Sequence, residues 1–271
     1  MSALSEEFLQ SPEALKVIVY EQPGYPSFRA ETVAGYLSER LALTTVLRDG
    51  LLSGRTAADP DSLCWRLACC RVTNPSRNTP NSPLIAEVES ERRQLEAGTA
   101  QPGLVYDGIR LLQVLSDMIP RSEMTLDHIH IVFTDRLVAT FDNLDRRYHL
   151  RTVICGFPCV VSLTGLVYAP ARSRIYHGSR RILHALGIGE VEPPSPEDYL
   201  ELGDPRTTEV SLGYAVQCVF YHLLGDPFCV DPGCRLFNAH TQREMLNAQL
   251  SLPEFCPVHA ALIEEIRGSV R

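Results

Sequence analysis

The chain has 271 residues, room for one elaborate domain or two small ones, and at 45% hydrophobic and 21% charged it has the makeup of a globular protein rather than a disordered one. Its 25 basic residues against 33 acidic ones leave a formal net charge of -8, which argues against a broad nucleic-acid or anionic-membrane footprint. Met1 to Ser11 carries Glu6 and Glu7 and lacks an apolar core, no apolar run reaches bilayer length, and nine cysteines without an export signal point to a reducing, cytoplasmic setting where thiols pack or bind metal.

The first elements alternate between strand and helix. Lys16-Val17-Ile18-Val19-Tyr20 reads as a short apolar strand ended by Gln22-Pro23-Gly24, and Ser27 is placed to cap a helix with Val33, Leu37 and Leu41 on one face. Thr44 to Leu47 follows as a second strand, and β-α-β order favours parallel pairing. The proline-rich, polar stretch from Thr73 to Pro83 reads as a surface loop. These features divide the chain into an N-terminal β-α-β portion (1–72), a loop (73–83) and a core (84–271), within one compact domain.

Two helices follow, from Pro83 to about Glu96 and from Asp107 to Met118, the latter with Ile109, Leu112, Leu115 and Ile119 as its stripe. His128 to Phe133 alternates and then turns continuously apolar, as a strand entering the centre of a sheet does. Val153 to Leu163 is β-rich, but Gly156 and Pro158 suggest an irregular or edge segment. Arg174 to Leu186 and Thr208 to Leu224 read as the remaining long helices. The expected class is α/β or α+β, a mixed twisted sheet with flanking helices.

The cysteines of the last third carry the chemistry. Cys229 and Cys234 enclose Val230-Asp231-Pro232-Gly233, turn chemistry that folds one Cys back toward the other, and Cys256-Pro257-Val258-His259 is a C-x-x-H knuckle. Two turn-borne pairs separated by a short segment are how structural zinc sites are written, and Cys3His is a common closed set. The alternative is four unrelated buried side chains, since Cys also packs as a small hydrophobe. Spacing, turn chemistry and setting favour one structural Zn2+ that clamps the C-terminal segment.

Cys218 and His222 lie four apart on the preceding helix, on one face, and Gly225 stops that helix. A helix with two ligand positions, a glycine break and a third position three residues later is the geometry of H-E-x-x-H-x-x-G-x-x-H, in which the histidines hold zinc and the Glu is the base. Aligned on Gly225, the first His falls on Cys218, the Glu on Val219, the second His on His222 and the third His on Phe228.

Over Cys218 to His259 the chain resembles the archaemetzincins, a metallopeptidase-like family within the zincin fold. Their motif runs on into a Cys, a second Cys, a Met and a Phe-Cys-x-x-Cys, positions that read Cys229, Cys234, Leu236 and Phe255 to His259 here. The resemblance implies a zincin-like sheet, a former active-site helix and a zinc-stapled C-terminal segment. It also marks what has gone. Val219 cannot take a proton and Phe228 cannot ligate, and a general base alone commonly contributes about 10²- to 10⁴-fold. Cys218 and His222 then read as packed core or as a residual second metal site.

Other groups are weaker. His128 and His130 share a strand face; Cys64, Cys69 and Cys70 suit core packing; Cys155 and Cys159 could pair, although no third ligand adjoins them in sequence. Arg172, Arg174, Arg180 and Arg181 form a local basic patch that reads as a solvated helix face. Two functions follow from these residues. One is a non-catalytic, zinc-stabilised protein that binds a peptide or protein partner in the old cleft by strand addition. The other is an active hydrolase with a rebuilt centre on Cys218 and His222, helped by His128, His130 or His177.

Overall fold

The computed structural model describes residues 15–53, 59–171 and 198–270. The expected helix from Arg174 to Leu186, the basic patch beginning at Arg172 and His177 lie outside the described residues. Strand β1 (Lys16–Tyr20), helix α1 (Ala30–Leu41) and β2 (Thr44–Arg48) open the fold, and β1 pairs with β2 in parallel. Residues 73–83 contain neither helix nor strand, and the next helices are α2 (Pro60–Cys69) before them and α3 (Ile85–Ala97) after them.

The chain then runs through β3 (Val105–Asp107), α4 (Gly108–Ser116), β4 (His128–Thr134), β5 (Leu137–Asp142), β6 (Arg147–Arg151), β7 (Val153–Ile154), β8 (Cys159–Ser162) and α5 (Leu163–Tyr168). Helices α6 (Thr207–Leu224), α7 (Gln242–Leu250) and α8 (Pro257–Val270) complete it. The larger sheet has the order β2-β1-β4-β8-β7, parallel except for β7, which pairs antiparallel with β8. A second sheet, β3-β5-β6, is also mixed. The architecture is α and β elements with helices flanking mixed sheets.

Alternation along the strands splits the core between the two faces of the larger sheet. Val17, Val19, Ile129, Ile131 and Phe133 pack with α1, α5 and α6, whereas Ile18, Tyr20, Val132 and Val160 pack with α2, α4 and the second sheet. Helix α6 is apolar almost all round because it lies inside the first layer, with thirteen of its residues buried from Thr207 to Leu223.

Several expectations are corrected by the structure. Ser27 does not cap α1: it sits at φ 61° and its hydroxyl bonds the carbonyl of Gly203, while the Arg29 N–H donates to Thr208 Oγ1 at the start of α6. The expected stripe of α4 is corrected at one position: Ile109 is half-exposed, whereas Leu115 and Ile119 are buried, Leu112 packs against the core, and Leu111 and Val114 join them, because the helix packs between α2 and the second sheet. The run from Val153 to Leu163 is two strands and the first residue of α5. Gly156 and Pro158 lie between an edge strand and a fully buried interior one. The β5–β6 hairpin escaped the sequence reading, because its residues alternate too weakly to stand out. Among the described residues, no helix is long and apolar enough to cross a membrane.

Candidate metal centre and the neighbouring cleft

Helix α6 ends at Gly225, whose φ of 74° is left-handed and whose N–H returns to the Tyr221 carbonyl at 2.8 Å. The chain then turns twice. Asp231 accepts from the Gly233 N–H at 2.9 Å, the Cys234 N–H donates to the Asp231 carbonyl at 3.1 Å, and the Cys229 N–H donates to Leu236 O at 2.8 Å. This folds Cys234 back beside Cys229. Helix α8, starting at Pro257, brings His259 to the same place, with Cys256 just before its first residue.

The ligand atoms of Cys229, Cys234, Cys256 and His259 all lie within 4.8 Å of one another. Cys229 Sγ and Cys256 Sγ are 3.8 Å apart, and His259 Nδ1 stands 3.7 Å from Cys234 Sγ and 3.1 Å from Cys256 Sγ. A tetrahedron with Zn–S of about 2.3 Å and Zn–N of about 2.0 Å has edges of roughly 3.5–3.8 Å; the 3.8 and 3.7 Å separations match it, and the 3.1 Å separation of Cys256 and His259 would open by a few tenths of an ångström around zinc. The Asp231 N–H points at Cys229 Sγ (3.3 Å), a donor that favours thiolate.

Burial lowers His259 below the usual imidazole range, against a pull from Asp226, and so keeps Nδ1 available as a ligand. Burial pushes the Cys229 thiol up and Cys234 up to about 12, so without a cation these sulfurs hold their protons. A bound metal would displace them. The knuckle is joined to α6 by Phe220, whose ring meets His259 edge-on at 5.6 Å. All nine cysteines are thiols and none is in a disulfide.

Cys218 and His222 are not brought to this centre, and among the described residues they join no group of three potential ligands. His222 Nε2 donates to the Leu126 carbonyl at 2.7 Å. Cys218 and Val219 are fully buried. His130 is held between Tyr20 Oη (3.0 Å) and the Glu123 carbonyl (3.1 Å), and His128 between Thr125 and Asp127. Neither is turned to Cys218.

The structure brings Cys218 beside Cys159, which the sequence could not show, without making a three-ligand group of them with Cys155. The Cys159 thiol donates to the Gly156 carbonyl at 3.4 Å and reaches the Cys218 carbonyl at 4.0 Å. The reason is tertiary: β8 packs on α6. A further group, Asp142, Asp145 and His149, went unremarked in the sequence; it lies on the β5–β6 hairpin, with Asp145 already paired to Arg147 and His149.

Beside α6 runs a cleft of about 820 Å³. One wall is Val153, Ile154 and Cys155 of the edge strand and its exit; another is Tyr214, Gln217 and Tyr221, spaced along one face of α6; Phe228 closes an end. Its lining includes Arg147 and Arg151 but no Asp or Glu among the described residues. Gln217 is 1% exposed, and among the described residues neither its Oε1 nor its Nε2 has a hydrogen-bond partner. A helix following the sheet, a glycine stop and a four-donor knuckle now stand together, and residues 13–266 match a family described as a probable metallopeptidase family, DUF6775.

The chain belongs to that family. No curated protein and no solved structure matches it. Membership in this probable metallopeptidase family accords with a metal-binding chain, and the Cys3His group is a four-donor set among the described residues that could hold a metal ion.

Proposed function

We propose that this protein is a zinc-stabilised, non-catalytic member of its family, with a zincin-like arrangement of edge strand and helix, that binds an extended peptide in the cleft beside α6. The observation that carries the reading is Gln217, a buried amide with both its donor and its acceptor unspent on the wall of that cleft. Leaving such a group unpaired costs about 1–3 kcal/mol, and a peptide unit offers the matching acceptor and donor. Strand β7 presents an edge to the same cleft, so a peptide can pair with it by strand addition. Arg147 and Arg151 on a wall without carboxylates favour acidic side chains in that peptide, in a chain whose overall charge is -8.

The loss of hydrolysis follows from chemistry. Hydrolytic zinc needs three protein ligands, an open position and a base. Val219 and Phe228 supply neither base nor ligand, and no carboxylate lines the cleft among the described residues. The Cys3His set is closed, which suits structure rather than turnover.

The test is fluorescence polarisation with labelled, extended Asp- and Glu-rich peptides, with mass spectrometry of the same samples. Binding without cleavage, weakened by Gln217→Leu, is the expected result. Cleavage abolished by His222→Ala would instead establish the rebuilt hydrolase, and no binding to any peptide would remove the cleft reading.

A further inference from the structure

A second cavity, of about 760 Å³, opens at the carboxyl ends of β1, β2 and β4. The chain leaves β1 for α1 on one face of the sheet and leaves β2 for α2 on the other, as the two cores record. Loops that part in this way leave a crevice at the crest of a parallel sheet, a place where such sheets seat ligands. The two crest loops touch: a Cβ on Gly50 would lie 2.4 Å from the Glu21 carbonyl, so this wall can be built only with glycine.

The floor is a buried cation. Arg136 lines the cavity with its side chain 4% exposed; Nη2 bonds Glu91 Oε2 at 3.0 Å and Nε has no partner among the described residues. Glu91 is not Arg136's alone, because its Oε1 already accepts from Arg71 Nε at 2.6 Å and from Tyr106 Oη at 2.8 Å. Two buried guanidiniums thus share one carboxylate. Asp135, next in the chain, forms no ion pair with either among the described residues; its Oδ2 takes the Ala100 N–H at 2.6 Å, and burial raises its carboxyl toward the neutral form. A buried positive charge in excess calls for an anion.

The mouth has the opposite sign. Glu21, Asp49 and Glu96 line it, and none is in an ion pair among the described residues. Arg92, also on the wall, is engaged by Asp61 at 2.7 Å and Glu89 at 3.4 Å. Burial and the neighbouring Asp49 and Glu31 push the Glu21 carboxyl up, a crowding that a cation would relieve. Between floor and mouth the lining is apolar, including Leu51, Leu95 and Val132.

We propose that this crest cavity binds a small zwitterion with an apolar body, in the size class of a dipeptide, its carboxylate toward Arg136 and its ammonium among Glu21, Asp49 and Glu96. The volume is within the range of small-molecule sites. The site is separate from the cleft beside α6 and does not rest on the reading of that cleft.

The experiment is titration calorimetry of the full chain with leucyl-leucine, with N-acetyl-leucyl-leucine, which lacks the ammonium, and with leucyl-leucine amide, which lacks the carboxylate. Leucyl-leucine is expected to bind, and each blocked peptide to bind about tenfold or more weakly, as the loss of a charge-assisted contact dictates. Arg136→Lys disturbs a buried network, so the deciding variant is Glu21→Gln with Asp49→Asn at the rim. It should weaken leucyl-leucine but not the anionic N-acetyl form, which has no ammonium to lose and is relieved of rim repulsion, and Gln217→Leu should leave leucyl-leucine binding intact. Equal binding of all three peptides, no binding of any, or loss in Gln217→Leu with the rim variant unaffected would overturn the proposal.

Discussion

At the scale of single residues, the structure keeps polar groups in places where stability alone would not put them. Gln217 is the clearest case. Replacing its unpaired amide with leucine of similar shape should raise stability by about 1 kcal/mol in urea denaturation, because the desolvation cost goes and apolar contact stays. An unchanged or lower midpoint would mean that the amide already has a partner. His130 sets a pH dependence. Its pKa is lowered by burial, reinforced by His128 and Arg48 and opposed by the Glu123 carbonyl and carboxylate; Tyr20 meets its other nitrogen. A depressed imidazole means that the unfolded chain binds the proton more readily. The contribution is therefore complete above about pH 6.5, the ordinary imidazole value, and is lost as the pH falls through the folded value. Urea midpoints taken from neutral to mildly acidic pH should fall, and fall less in His130→Gln.

Among elements, α6 does most to organise the site. Gly225 at its end has φ 74° and open space where a Cβ would go, so Gly225→Ala tests backbone strain without a clash. A loss of about 1 kcal/mol in thermal unfolding is expected. The knuckle after it makes a larger prediction. Cys256→Ser or chelation should remove the metal, measured by elemental analysis, and raise amide hydrogen exchange from Asp226 through α8 while β1 and β4 stay protected. Equal loss of protection in the central strands would mean that the knuckle and the sheet fold as one unit. The pairs that make up this centre were legible in sequence because each is local: Asp231-Pro232-Gly233 turns the chain, and Cys256 and His259 are three apart. The approach of Cys218 to Cys159 was not legible, since it depends on a strand and a helix meeting across fifty-nine residues. The start of α1 is the same lesson in reverse: the Arg29 N–H is met by the distant Thr208 hydroxyl, and Ser27, the local candidate, bonds Gly203 instead.

For the whole molecule, the parallel pairing of β1 with β2 and the mixed α and β character could be read from apolar runs such as Lys16 to Tyr20, because burial on both faces leaves a continuous signature. The second sheet could not, since Thr140, Asp142, Arg147 and His149 give its hairpin a polar surface. Nor could the crest cavity, whose Arg136, Glu21 and Asp49 come from three strand ends that only the sheet order brings together. The C-terminal knuckle carries one more consequence for the molecule. The 3.8 Å between Cys229 and Cys256 that suits a shared cation also lies within easy reach of a covalent bond once an oxidant such as hydrogen peroxide withdraws two electrons from the pair. Metallation and oxidation then compete for the same two sulfur atoms, and whichever comes first decides whether the end of the chain is locked by an ion or by a bond.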